Sequence, residues 1–550
     1  MRLAIGILAF SLWAAPTSPG PAPLPLRIPM RDGIHLAANA YLPSRNNRYP
    51  VILVRTPYGQ AAGLSSNQLR VIEHGFALVI QDVRGRHHSE GRFDPMRQET
   101  ADADDTLNWL ARQPWSNGRI AMMGGSYLGI VQWKAALSGN PHLKAIAPVV
   151  SGGDDYRDRY YSPGGALKLG HRLQWMAANM RPRGIPTPRF ETYIHTLPIA
   201  DADLAATGTR IDFFQEILRH PDYDAYWREL SILENAAKIK TPVLAVGGWY
   251  DNYVESDLDL FMALRRLGRQ AHLIIGPWAH NMSSPLPAVD FGPNAAAPII
   301  RYQLDWFARW LKDDRQRGWF PPLRIFVMGI NKWRDEDRWP PARAVPTPYY
   351  LNEGRRLTTR APLKPGLTER WRYDPDNPIP TRGGNVCCNP TIFPWGPMDQ
   401  ANIEGRPDML LFTSDPLRED LEVTGPIRAE LDIATSARDT DFTVKLIDLY
   451  PDGRAINLCD GILRLRYRDG LHKAKLAEPN KRYRISVPVG VTSNVFRPGH
   501  RIRIEIASSN FPRFDRNRNT GSLQAWARKA ITADQTVYLN NSHLLLPVVR

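Results

Sequence analysis

Between Tyr49 and Val150 the apolar positions fall into short unbroken runs separated by amphipathic stretches. The runs are Val51-Ile52-Leu53-Val54, Phe76 to Gln81, Ile120 to Met123 and Leu143 to Val150. They are continuous rather than alternating, which is how strands buried on both faces read. The stretches between them, Gln68 to His74, Asp102 to Gln113 and Tyr127 to about Leu137, carry helical spacing. Strand and helix in alternation imply a mostly parallel sheet with right-handed crossovers, an α/β class. Upstream, Leu26 to Ile28 and Ile34 to Leu36 flank Arg31-Asp32-Gly33 as a hairpin. From Ser151 to Lys240 the pattern turns aromatic-rich and helical or irregular, and it reads as an insertion over the sheet. The strand pattern resumes at Thr241 to Val246 and again at Ala271 to Ile275, with helices at Ser256 to Leu267 and Leu304 to Lys312. After Pro321-Pro322 short alternating strands run to the end, beginning with Leu323 to Met328, as in an all-β sandwich. The expected division is 24–150 with 241–318 as the α/β unit, 151–240 as a helical lid and 319–550 as a jelly-roll sandwich.

Composition narrows this picture in three ways. A chain of 550 residues exceeds one small core, so several domains are expected. The net charge of +15 is spread along the chain without a basic block, and no nucleic-acid motif accompanies it, so nucleic acid is not expected as a partner. Arg2 and the apolar run Leu3 to Ala15, followed by a Pro-rich stretch, resemble a signal peptide and linker over residues 1–23. That run is too short to span a bilayer, and export to the periplasm or medium is the expectation. The three cysteines, Cys387, Cys388 and Cys459, make neither a disulfide scaffold nor a zinc site, and Cys387 and Cys388 read first as free thiols in a loop, with a vicinal bridge between them as the alternative.

The chemistry starts at Gly124-Gly125-Ser126-Tyr127-Leu128-Gly129, where a strand turns sharply into a helix. This is the context of a nucleophile elbow, although the small residue usual two positions after the serine is here Leu128, with glycine one later. An ordinary glycine-rich turn is the alternative reading. In an α/β-hydrolase fold the acid and then the histidine should follow, each on a loop after a strand. Asp251 lies just past the strand at 242–246, and His280 just past the strand at 271–275. Five of the 13 histidines follow Asp251. Of these, His472, His500 and His543 sit in the β-rich region, and His272 opens a strand at the wrong end. His280 alone sits at the carboxyl edge, where open parallel sheets bind ligands.

The elbow, Gly248-Trp249-Tyr250-Asp251 and Gly276-Pro277-Trp278-Ala279-His280 resemble the cocaine esterase, or CocE/NonD, family of hydrolases. That family includes X-prolyl dipeptidyl-peptidases, α-amino acid ester hydrolases and glutaryl acylases. Gln81 to Arg86, Gln113 to Gly118 and Ser508 to Asp515 carry the resemblance further, so that it covers residues 25–550. It implies an α/β-hydrolase fold with a lid and a jelly roll. It implies Ser126 as nucleophile, His280 as general base and Asp251 as orienting acid. The Tyr58 hydroxyl and Tyr127 N–H are implied as oxyanion donors, and Tyr58 fits because its loop leaves a strand at the edge that holds the elbow. An acyl-enzyme route through these groups requires no cofactor and no metal. A small ester or amide is the implied substrate. X-prolyl dipeptidyl-peptidase activity and an inactive binding homologue are the alternatives, and a homo-oligomer stays open. Asp154 and Asp155 follow the strand 143–150 and read either as a site for a substrate ammonium or as helix caps. Trp249, beside the acid, is a further candidate for substrate contact.

Overall fold

The computed structural model describes residues 20–61, 63–182 and 184–550. The expected signal segment, 1–23, lies outside them except for its last four residues. The first sheet has ten strands: β1 Leu24–Pro29, β2 His35–Tyr41, β3 Tyr49–Thr56, β4 Ala77–Asp82, β5 Ser116–Gly125, β6 Leu143–Val149, β7 Val243–Tyr250, β8 Ala271–Ala279, β9 Leu323–Val327 and β10 Lys332–Glu336. Their order is β1-β2-β4-β3-β5-β6-β7-β8-β9-β10. The pairings from β4 through β9 are parallel, and β1, β2 and β10 run antiparallel at the flanks.

The continuous apolar runs lie where they must. Val51 to Leu53 and Ile120 to Met122 are almost wholly shielded, with helices on both faces of the sheet. Each such aliphatic side chain contributes about 1.5–3 kcal/mol. Helices Glu99–Ala111, Tyr127–Leu137 and Val254–Arg266 share one cluster with one face, and Ser66–Glu73 and Ile299–Leu311 cover the other. Two expectations need correcting here. Leu323 to Met328, expected to open the sandwich, pairs parallel with β8 instead, through Leu273–Leu323 to Ile275–Ile325, and β10 extends this sheet to Glu336. A five-residue apolar strand after Pro321-Pro322 carries no sign of which sheet it joins; the partner edge decides. Cys387 and Cys388, read first as free thiols, form a disulfide. Adjacency in sequence does not reveal whether a loop presses two neighbouring side chains together.

Residues 155–230 form the helical insertion, with a π-helical turn at Asp155–Tyr160 and helices including Gly170–Asn179 and Asp212–Arg219. The rest is a β-sandwich with its own core around Leu431, Phe442, Ile504 and Leu544. Its longest strands are Leu421–Thr435, Tyr483–Phe496 and Ala533–Val549. The three parts interlock. Leu167 N–H donates to Asp515 at 2.9 Å, Gly170 N–H donates to the Pro512 carbonyl at 2.7 Å, and the Tyr250 hydroxyl donates to the Asn457 carbonyl at 3.3 Å. No helix among the described residues is long and apolar enough to cross a membrane.

Candidate active site

Ser126 stands between β5 and the helix Tyr127–Leu137 at φ 58°, ψ −125°. A non-glycine residue there is strained, at a typical cost of about 1–3 kcal/mol, and persists only where its surroundings over-determine it. The surroundings are visible. Ser126 N–H donates to the Val149 carbonyl at 2.9 Å, and its own carbonyl accepts from Ile130 N–H at 3.0 Å. The glycine spacing follows from packing. A Cβ on Gly124 would lie 2.6 Å from the Leu128 Cβ, and one on Gly129 would lie 2.6 Å from the Ser151 Cβ. Leu128 therefore fills the space that Gly124 leaves, and position 129 is where the helix crosses closest to the end of β6.

Asp251 and His280 each follow their strand, β7 and β8, by one residue. His280 Nδ1 is 2.5 Å from Asp251 Oδ1, and its Nε2 is 3.0 Å from Ser126 Oγ. Both the imidazole and the carboxylate are fully buried. The second carboxylate oxygen accepts the Tyr253 N–H at 3.0 Å. An imidazole held this way donates from Nδ1 to the carboxylate and accepts the serine proton at Nε2.

Tyr58 and Tyr127 both line the cavity beside Ser126. Tyr127 is the first residue of its helix, so its N–H has no intrahelical partner. Its hydroxyl donates to Glu99 at 2.7 Å, Glu99 pairs with Arg55 at 2.9 Å, and all three side chains are buried. Tyr58 lies in the loop after β3, and its hydroxyl accepts from Trp175 Nε1 at 3.2 Å and stands in hydrogen-bonding contact with the Ser126 side chain. Burial pushes the Tyr58 phenol up to about 12, so it stays a protonated donor.

The cavity beside Ser126 is a narrow slot of about 20 Å³, walled by Met96, Ile130, Tyr160, Trp175, Met176 and Phe213. Arg172 and Cys388 line it too, and among the described residues no carboxylate does. Arg172 donates to the Arg159 carbonyl and, at 3.3 Å, to the Tyr253 hydroxyl, and it lies over the Tyr160 ring. Three sequence candidates do not reach this slot. Asp154 caps the π-helical turn through Tyr156 N–H and Arg157 N–H, both at 3.0 Å, and faces a different cleft. Asp155 is buried between Arg159 at 2.6 Å and Lys134 at 3.5 Å. Trp249 donates from Nε1 to the Phe326 carbonyl at 2.7 Å and packs on Trp339 within the core. Of the two readings of Asp154 and Asp155, cap or ammonium site, Asp154 takes the cap and Asp155 is held by two cations, because buried carboxylates engage the cations and N–H groups nearest to them. Arg172, Trp175 and Cys388 were missed, because an insertion without periodicity does not reveal which of its side chains point down onto a sheet edge.

An elbow serine, a carboxylate and an imidazole in that chain order on an α/β-hydrolase sheet define the serine hydrolases of this fold. Comparison with known proteins narrows the class. Residues 32–282 match the X-Pro dipeptidyl-peptidase (S15 family) and residues 318–543 the X-Pro dipeptidyl-peptidase C-terminal non-catalytic domain. A cocaine esterase from Rhodococcus sp. (strain MB1 Bresler) is 37% identical over 95% of this chain and 98% of its own. Among solved structures, an α-amino acid ester hydrolase superposes with a TM-score of 0.87 at 27% identity, covering 100% of both chains. An aminopeptidase from the marine sediment archaeon Thaumarchaeota archaeon gives a TM-score of 0.86 at 26% identity, covering 98% of this chain and 99% of its own. The chain belongs to the CocE/NonD family of serine hydrolases.

Proposed function

We propose that Ser126 is the nucleophile of an acyl-transfer hydrolase that acts on small esters, with His280 as general base and Asp251 as the acid that orients it. The observation that carries this reading is the imidazole placed between Asp251 at 2.5 Å and Ser126 at 3.0 Å. His280 Nε2 takes the serine proton as Oγ attacks the carbonyl carbon, and Asp251 stabilises the imidazolium. The tetrahedral oxyanion is met by the Tyr58 hydroxyl and the Tyr127 N–H, both aimed in advance by packing. The imidazolium returns the proton to the leaving group. Water, activated by the same imidazole, then releases the acid from Ser126.

X-prolyl dipeptidyl-peptidase activity is the second reading, favoured by the match over residues 32–282. It ranks second because such substrates carry an α-ammonium, and among the described residues the slot offers them the Arg172 guanidinium and no carboxylate. Like charges brought together in a confined site lower affinity. We further read the sandwich as a jelly roll, residues 151–240 as a lid, and the N-terminal segment as an export signal.

A panel of 4-nitrophenyl esters beside aminoacyl-prolyl anilides tests the ranking. Neutral acyl esters should be turned over with kcat/KM at least about tenfold above the α-amino substrates. The reverse order would make the chain a peptidase. Fluorophosphonate labelling lost in Ser126→Ala checks the nucleophile itself.

A further inference from the structure

The chain from Gly384 to Gly396 leaves the sandwich and returns to it as a closed strap. Gly384 N–H donates to the Gly396 carbonyl at 2.8 Å, and Gly396 N–H donates back at 3.0 Å. The flanking strands, Thr368–Tyr373 and Leu410–Thr413, belong to the second sheet. Yet the strap's apolar residues Val386, Phe393 and Trp395 are buried in the core of the first sheet. A side chain of this strap also reaches the loop of the candidate catalytic acid. Asn385 Nδ2 donates to two carbonyls at once, those of Trp249 and Asp251, each at 3.0 Å. Asn385 is buried, and its Oδ1 has no partner among the described residues. Two carbonyl acceptors fix which end of the amide faces them. Three and four residues on, Cys388 and Asn389 both donate their N–H groups to Gln174 Oε1, at 3.2 and 3.1 Å. Gln174 stands on the helix that supplies Arg172, Trp175 and Met176 to the slot, and Cys388 lines the slot itself.

We propose that Asn385 is a positioning residue for the reaction: it sets the backbone of Asp251, and so ties the register of the triad to the seating of the sandwich. The inference rests on Asp251 being the catalytic acid. The physical reason is leverage. Asp251 follows the last residue of β7, so the strand ladder holds it from one side only. Its carboxylate must meet His280 Nδ1 at 2.5 Å. A displacement of the Asp251 backbone moves the carboxylate with it, and misplacement of about 1 Å in such a site can cost about 10²-fold in rate. The Trp249 and Asp251 carbonyls are held by one amide, so their separation is fixed as well as their height above the sheet. A buried amide with one oxygen unsatisfied costs free energy, and it sits where the triad gains from a rigid acid.

The test uses the full-length enzyme and a 4-nitrophenyl ester. Asn385→Leu keeps the volume and removes the donor, and Asn385→Ala removes both. Each should lower kcat roughly 10–100-fold with KM changed by less than about threefold. The decisive measurement is coupling. In an Asp251→Asn background, where the residual rate no longer depends on a placed carboxylate, the same Asn385 substitutions should leave that residual rate nearly unchanged. An equal fold-loss in both backgrounds, or a fall in Tm with kcat preserved, overturns the proposal. Gln174→Ala keeps the test open if neither Asn385 variant accumulates: it releases the strap from its other end and should lower kcat with the same lack of additivity. Wild-type activity retained in Asp251→Asn would instead remove the reading on which the proposal rests, whatever the Asn385 variants do.

Discussion

The carboxyl edge of the first sheet and the helical insertion above it both carry acidic residues next to the chemistry, yet they use them in opposite ways. At the edge, Asp251 is buried but left with one oxygen for His280 and one for a backbone N–H. In the insertion, Asp154 is spent on two N–H groups and Asp155 on Arg159 and Lys134. The difference lies in who arrives first. A residue one position past a parallel strand projects into the crevice that the sheet leaves open. A residue opening a helical turn has unsatisfied N–H groups beside it. Carboxylates that follow a strand can therefore serve the open edge or the scaffold, and the neighbouring backbone decides.

The largest expected effect breaks the edge. Ser126→Ala should lower kcat by roughly 10⁴–10⁶-fold, with the far-UV and near-UV spectra unchanged, since the side chain opens to the slot and supports no core. Retained turnover would move the chemistry to another serine.

Next comes the insertion. Asp155→Ala leaves Arg159 and Lys134 as buried, uncompensated cations and should cost about 3–5 kcal/mol in chemical denaturation. If the scaffolding role is right, the folded fraction should treat α-amino and neutral esters with unchanged relative preference. A selective rise in KM for α-amino esters would return Asp155 to the substrate.

The smallest effect sharpens the edge itself. Tyr58→Phe removes one oxygen and should lower kcat by about 10²–10³-fold, about 2.7–4 kcal/mol, with KM changed far less. Burial raises the Tyr58 phenol to about 12. A raised value keeps the O–H in place, so ionisation of Tyr58 should cause no loss of rate until the pH nears that value. A rate that falls with Tyr58 ionisation well below it, in stopped-flow pH-jump assays, would place the hydroxyl in solvent rather than at the oxyanion.

The amino-acid sequence by itself determined the alternation that makes a parallel sheet, the elbow, and an acid and a histidine each on a loop shortly after a strand. These are local properties: a continuous apolar run, a glycine pair before a serine, a short loop after a strand. Which sheet Leu323–Val327 would join, whether Cys387 and Cys388 would pair, what Asp155 would meet, and that Asn385 would reach Asp251 from the sandwich were decided only by tertiary structure. Some of these depend on a partner far away in the chain, 134 positions away for Asn385 and Asp251, and others, such as the Cys387–Cys388 pair, on how the surrounding fold shapes a loop. Contacts across such distances leave no periodicity in the sequence, because they are fixed by how three separately formed units press together and by which polar groups are still unsatisfied when they do.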